Sequence, residues 1–280
     1  MKFGYVYPGG EARDAAECAR AAEAAGWDGF FVWEPVWGVD SWVTLAAAAM
    51  RTERIRLGTM LTPVSRRRPW KLASETATVD RLSNGRLILS VGLGAVDTGF
   101  TQFGEVTDRK QRAELLDEGL DILTGLWRGQ PFKHEGKHYH VTETSFFPPQ
   151  PPIQTPRIPI WVVGAWPHPI SMQRALRYDG LLAAVQNAEG KFETLTPDHL
   201  REIIPYVAAH RAAKGPFEIV VEGKAPLDNP QQAALLVKSY EDAGATWWIE
   251  AQWELGERMW SAETLAAIRE RIRQGPPFIR

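Results

Sequence analysis

Short apolar runs in this chain end repeatedly in residues that can bind or react. Tyr7 and Glu11 follow the first run, and Glu34, Trp37 and Trp42 the second. Thr59, Met60 and Thr62 close the third, followed by Arg66, Arg67, Arg68 and Trp70. Gly92, Gly94 and Asp97 follow the fourth, and Gly164, Trp166 and His168 the fifth. Gln186 and Asn187, then Glu222 and Lys224, then Gln252, Trp253 and Glu254 end the last three.

The tryptophans dominate this set. Trp37, Trp42, Trp70, Trp166 and Trp253 would ring one opening, which suits a large planar ligand that stacks. Any one of them alone would equally serve to pack a loop. Arg66, Arg67 and Arg68 either face solvent or reach an anionic group of a cofactor. The turn from Gly164 to Ser171 precedes a helix start, where backbone N–H groups can hold a phosphate. His168 is the one histidine of six at a strand end, and so the one to test as acid or base. His134, His138 and His140 cluster in a hairpin-like HEGKHYH stretch whose spacing is not that of a metal site. No GxSxG and no HExxH occurs, so a borrowed cofactor is the economical source of chemistry.

These residues need elements to carry them. Residues 54–94 read as strand, loop, helix and strand in one pass. Residues 55–60 and 86–91 are β-forming runs. Pro69 suits a first helical turn, Leu72, Thr76, Val79 and Leu82 mark one face, and Asn84-Gly85 ends the helix. This βαβ unit makes its strands parallel neighbours, and small residues at their ends leave room for a ligand. The same alternation runs through the chain. Strands are expected over 3–7, 29–33, 160–163, 180–185, 217–221 and 246–251. Helices are expected over 12–25, 42–50, 111–126, 171–178, 196–213, 229–243 and 262–272. Eight strands, each followed by a helix, in 280 residues predict an α/β protein, an eightfold β/α (TIM) barrel formed as one domain over 1–280. Residues 129–159 break the rhythm. They are expected to form an insertion between strands four and five, lying across the barrel around a hairpin at Glu135-Gly136.

Composition sets bounds. The hydrophobic fraction is 44% and the charged fraction 24%, as in ordinary globular proteins. A formal net charge of -2 gives no reason to expect nucleic acid or a membrane surface as partner. No signal-peptide core is evident at the start, so the cytoplasm is the expected location. Cys18, the one cysteine, excludes an intrachain disulfide and a cysteine-based metal centre, and reads as a small core residue. No metal site is expected.

Several motifs together resemble the bacterial-luciferase-like flavin-dependent oxidoreductases. They are AAEAAGWDGFFVWE, RIRLGTMLTPVSRRRP, ATVDRLSNGRLILSVGLG, LDEGLDILTGLWRGQPFKHEGKHYHV, PPQPPIQTPRIP and IPIWVVGAWPH, spread in order over nearly the whole chain. The resemblance implies a reduced flavin at the C-terminal mouth of the barrel. Members use FMN with oxygen, or the deazaflavin coenzyme for hydride transfer. It implies cofactor contacts from Thr59, Met60, Thr62, Gly92, Gly94, Gly164, Ala165, Trp166 and Ser171. It also implies a cis peptide at Thr59-Met60. Glu34 and His168 are the catalytic candidates, and Tyr7, Trp37, Trp70, Asp97 and Trp253 the substrate pocket. Two departures stand out. Pro35 follows Glu34 where many relatives carry a histidine, and Ala95 stands where deazaflavin relatives often carry a glutamate.

The expected function is a monooxygenase using reduced FMN on a small organic substrate. A deazaflavin-dependent reductase or dehydrogenase is the alternative, and a non-catalytic flavin-binding protein the rival. A separate flavin reductase and a second copy of the chain, as a homodimer, are the expected partners.

Overall fold

The computed structural model describes residues 1–145, 150–226, 228–258 and 260–277. Eight strands alternate with eight helices. They are β1 (Lys2–Tyr7), α1 (Ala12–Ala24), β2 (Gly29–Val32), α2 (Ser41–Ala49), β3 (Arg56–Thr59), α3 (Pro69–Leu82), β4 (Leu87–Gly92) and α4 (Arg109–Arg128). There follow β5 (Ile160–Trp166), α5 (Pro169–Leu176), β6 (Gly180–Gln186), α6 (Pro197–His210), β7 (Glu218–Gly223), α7 (Pro230–Asp242), β8 (Trp247–Glu250) and α8 (Ala262–Gln274). Each strand pairs in parallel with the next, and β8 pairs with β1, so the sheet closes. The result is an eight-stranded parallel barrel ringed by helices, as the alternation predicts.

Local chemistry explains the element ends. Asn84 (φ 55°) and Gly85 (φ 78°) turn the chain after α3, and the Gly85 N–H bonds Asp80 O at 2.8 Å. The Asn229 side chain caps α7 through the Gln232 N–H at 3.0 Å. Thr196 and His199 form a reciprocal cap on α6. Helix α6 stops at His210, three residues short of the expected end, because Arg211 is already extended (ψ 111°).

The barrel interior has two levels. At the lower level Phe31, Trp161 and Trp247 fill the space. Trp161 and Trp247 meet edge-on at 5.1 Å, and Phe31 lies 5.5 Å from Trp161. Glycines on neighbouring strands make that room. A Cβ at Gly4 or Gly29 would stand 2.7 Å from the Phe31 ring, and one at Gly180 2.5 Å from Trp161. Val6, Met60, Ile88, Leu182, Val220 and Ile249 join the same inner cluster. The alternate residues, among them Tyr5, Phe30, Leu57, Leu89, Val162 and Val221, face the helices in a second, larger cluster. Cys18 packs there, and burial pushes its thiol up to about 11. The barrel is therefore plugged from below and can admit a ligand only from the C-terminal end.

Between α4 and β5, Phe132–Glu135 and His140–Thr144 form a separate antiparallel hairpin. It leans on the outer side of α4 rather than across the barrel. The Glu118 carboxylate accepts the backbone N–H groups of Lys137, His138 and Tyr139 at 2.9–3.1 Å. Tyr139 packs with Leu115 and Ile122 and meets Trp70 edge-on at 6.2 Å. His138 and His140 each face a separate carboxylate, Glu114 and Glu135, at 2.8 Å. Residues 146–149 of the expected insertion lie outside the described residues. Among the described residues no helix is long and apolar enough to cross a membrane.

Candidate active site

The C-terminal mouth is built by the inward-facing residues at the strand ends. Counting by twos from Phe31, Met60, Ile88, Trp161, Leu182, Val220 and Ile249 identifies them. On β4 and β5 they are Gly92, Val163 and Ala165, apolar and small, and Leu61 from the turn after β3 packs onto them. Leu61 lies over Gly92, where a Cβ would come within 2.9 Å of Leu61 Cδ2 and 3.0 Å of Val163 Cγ2. Leu61 and Val163 are half-buried, and Ala165 lies beside them on β5. This is an apolar shelf. Opposite it, on the β6–β8 side, stand polar groups. Arg109, the first residue of α4, donates to Gln186 Oε1 at 3.0 Å. Trp253 donates its indole N–H to Glu222 Oε1 at 2.5 Å. Glu222 is exposed at the end of β7, yet desolvation by the protein atoms around it raises its carboxyl above the ordinary range.

Behind the shelf lies a buried polar knot. Glu34 is 7% exposed, and its Oε2 accepts from Thr62 Oγ1 at 2.6 Å. Thr62 Oγ1 stands 2.8 Å from Thr59 Oγ1, which reaches Ser90 O at 3.3 Å. Arg66 donates to the backbone oxygens of Glu34 (3.0 Å) and Pro35 (3.1 Å). Arg66 and Arg67 stand 3.7 and 3.8 Å from Glu34 Oε1. Burial outweighs these cations and holds the Glu34 carboxyl above its ordinary range. Arg66 and Arg112 flank the Phe100 ring at 5.3 and 5.7 Å. Arg112 also donates to Leu93 O and Gly94 O, tying the loop after β4 to α4. A cleft of about 250 Å³, lined by Glu34, Trp37, Asp40, Arg66, Arg67 and Glu105, opens beside the knot.

Measured against these walls, the expected site residues separate. Gly92 and Ala165 face the mouth, and Trp253 stands on its rim, 37% exposed. Thr59 and Thr62 are fully buried in the knot, where Thr62 Oγ1 donates to Glu34 and Thr59 Oγ1 meets Thr62 Oγ1 and Ser90 O. Met60 belongs to the inner core, and Leu61 takes the place at the mouth. The cis peptide is Met60-Leu61, one residue beyond the expected Thr59-Met60. The Met60 N–H still bonds Val32 O at 2.8 Å, so the β2–β3 ladder continues past Thr59.

Others point elsewhere. Tyr7 packs against Phe30 on the helix side of β1, because Val6 takes the inward position. Gly164 faces α5, where a Cβ would stand 3.0 Å from Met172 Sδ. Trp166 is also on that outer pleat. It meets Tyr206 edge-on at 5.3 Å and donates to Glu202 at 3.2 Å. Trp42 is buried among the helix-facing residues. Trp70 sits beneath the hairpin at Tyr139. Trp37 is 82% exposed beside the cleft, and Asp97 is exposed in a short 3-10 turn. Gly94 (φ 74°) makes the turn against Phe100 and Pro63. His168 is the exposed N-cap residue of α5, and Ser171 Oγ accepts the Ala165 N–H at 3.0 Å. Leu61, Val163 and Arg109 were missed by sequence reasoning, and Glu222 had no role there. The period-two count from a known inward residue is the signal that finds Val163 and Glu222.

Fold and site define an eight-stranded parallel β/α barrel with an apolar shelf facing a polar wall at its C-terminal mouth. Residues 1–275 match the family model for luciferase-like monooxygenases, and the chain belongs to that enzyme family. It is 31% identical over 167 residues to the F420-dependent glucose-6-phosphate dehydrogenase of Amycolatopsis mediterranei, covering 55% of this chain and 48% of that one. It is 31% identical over 126 residues to the oxygenase component of the flavin-dependent trigonelline monooxygenase of Acinetobacter baylyi, covering 45% and 34%. The matches thus span about half or less of these curated relatives. The coenzyme F420-dependent tetrahydromethanopterin reductase of Methanopyrus kandleri shares the fold, with TM-score 0.76 and 17% identity over 98% of both chains.

Proposed function

We propose that the chain holds a flavin-type ring on the shelf of Leu61, Gly92 and Val163, and that reduced FMN with oxygen oxidises a small organic substrate there. The observation that carries this reading is the mouth itself. An apolar ledge, a polar wall across from it and an aromatic plug beneath suit a flat ring that must stay at the rim. The ledge fits the ring because Gly92 carries no side chain under Leu61. When bound, the reduced flavin supplies the electrons that activate oxygen. The chain's own residues bind and orient. The start of α5, with Ser171 and its neighbours, is the phosphate end, and His168 stands beside it as a candidate acid or base. Glu34 holds the turn that carries Leu61, and so acts as a positioning residue rather than a proton donor to substrate.

A second reading, hydride transfer with the deazaflavin coenzyme F420, is favoured by the names of relatives that match half the chain. Against it, Ala95 is exposed and Glu34 is spent on Thr62, leaving no acid pair at those two strand ends. Oxygen uptake with reduced FMN across a substrate panel separates the readings. Turnover without oxygen but with F420 replaces the first by the second, and cofactor binding without turnover points to a flavin-binding protein. We also propose one domain over 1–280 with residues 129–159 as an insertion, a cytoplasmic location, a homodimer, and supply of reduced FMN by a separate reductase.

A further inference from the structure

At the rim of the mouth two side chains leave only donors unused. Gln186 follows Leu182 and Ala184 on the inward pleat of β6 and is 5% exposed. Arg109, exposed at the start of α4, donates to Gln186 Oε1 at 3.0 Å. A guanidinium only donates, so this bond fixes the amide with its oxygen toward Arg109. The Gln186 NH2 group has no partner among the described residues, and Arg109 makes no ion pair among them. The acceptor of the pair is therefore spent, and what it still offers is N–H. Small residues lie beneath it, since Ala184 is half-buried and in register with Ala165 on β5. The other charges at this side have partners. Asp108, the N-cap of α4, accepts the Gln111 N–H at 2.7 Å. Lys224, just past β7, pairs with Glu254, and Glu222 accepts the Trp253 indole N–H.

We infer that Arg109 and Gln186 hold an oxyanion of the substrate, a carboxylate or phosphate, at the rim of the mouth. The remaining N–H groups of Arg109 form a rigid fork that matches such a group, and the Gln186 NH2 adds a donor from a second element. A neutral carbonyl would accept the same donors, but charge-assisted bonds are the stronger kind, so the pair favours the anion. Arg109 also stands at the N-terminal, positive end of α4, which is 20 residues long. This inference rests on the proposed function in taking the mouth as the reaction site, and it leaves the cofactor phosphate at the start of α5.

The test uses the full chain without cofactor, with affinities measured by calorimetry. Benzoate, phenyl phosphate and benzyl alcohol are the probes, alike in their ring. At least one of the two anions is expected to bind saturably and more tightly than benzyl alcohol. Arg109→Gln removes the charge from an exposed side chain and should weaken that anion about tenfold, the loss of a charge-assisted hydrogen bond. Arg109→Lys keeps the charge without the fork and should fall between the two. Benzyl alcohol binding as tightly as the anions overturns the inference. So does no binding of either anion, or an affinity that Arg109→Gln leaves unchanged. FMN and riboflavin, which differ by the phosphate, are titrated separately into the wild-type chain and Arg109→Gln. The ratio of their affinities should be the same in both proteins. A ratio that falls toward one in Arg109→Gln gives the pair to the cofactor phosphate and overturns the assignment to substrate. If neither flavin binds while the anions still depend on Arg109, the proposed function fails and the anion site stands.

Discussion

Thr62 donates its hydroxyl to Glu34 Oε2 at 2.6 Å, and both side chains are buried behind the mouth rather than in it. The carboxylate at the end of β2 is thereby committed to the turn after β3. Thr59 extends the chain of hydroxyls to the backbone of β4. Leu61 lies between those two threonines in sequence, so Glu34 sets where Leu61 sits on Gly92. The residue acts on the apolar shelf from outside it.

Glu34 makes stability depend on pH. Its folded-state carboxyl lies above the unfolded value near 4.5 because burial penalises the charge. Between those two values the native state binds more protons than the unfolded state, so stability falls as pH rises through that window. The stability advantage of the wild-type chain over Glu34→Gln should shrink as pH rises from about 4.5. Urea midpoints of the two proteins across that range check this. A gap that is flat or widens contradicts it.

Gly92→Ala probes the shelf. The added methyl would press on Leu61 at 2.9 Å and Val163 at 3.0 Å. Overpacking of this kind costs about 1–3 kcal/mol. Thermal unfolding should show the loss, and cofactor affinity should fall with it because the ledge is lifted. Normal affinity in a folded variant would move the ring off this wall.

Gly180→Ala probes the plug. Its methyl would stand 2.5 Å from Trp161 Cδ1, so a similar loss of about 1–3 kcal/mol is expected. Trp161→Ala should cost about 3–5 kcal/mol through the cavity it opens. Denaturant unfolding measures both. Cofactor affinity in Gly180→Ala should stay near wild type, since the plug lies a layer below the mouth.

The phosphate end can be tested by comparing two substitutions. Ser171 lies in the first turn of α5, and Arg67 is already paired with Glu75 at 2.5 Å. Ser171→Glu should weaken cofactor binding more than Arg67→Ala does. The opposite order would place the phosphate at the loop after β3.

Much of the fold was legible because its signals are local. Asn84-Gly85, Thr196-Pro197 and Asn229-Pro230 mark helix ends through turn and cap chemistry that needs no tertiary context. The site was less legible, because a strand buried on both faces hides which pleat a residue occupies. Tyr7, Gly164 and Trp166 all stand at strand ends, yet all three face the helices. Val6, Val163 and Ala165, one step away, face inward, and nothing in their apolar types distinguishes them. Leu61 was hidden differently. It lies past the end of its strand and reaches the mouth only because the turn from Thr59 to Thr62 folds it onto Gly92. Glu222 was visible as a strand-end carboxyl group, but its indole partner comes from the loop after β8.

The central claim is that this mouth binds a flavin-type ring, and tryptophan fluorescence tests it most directly. Trp253 on the rim and Trp161 beneath should be quenched as FMN or F420 is titrated in, oxidised and reduced. The account predicts saturable quenching with a dissociation constant well below about 1 mM, which corresponds to roughly -4 kcal/mol, and a weaker constant in Gly92→Ala. Failure of both cofactors, in both redox states, to bind below about millimolar concentration would contradict it.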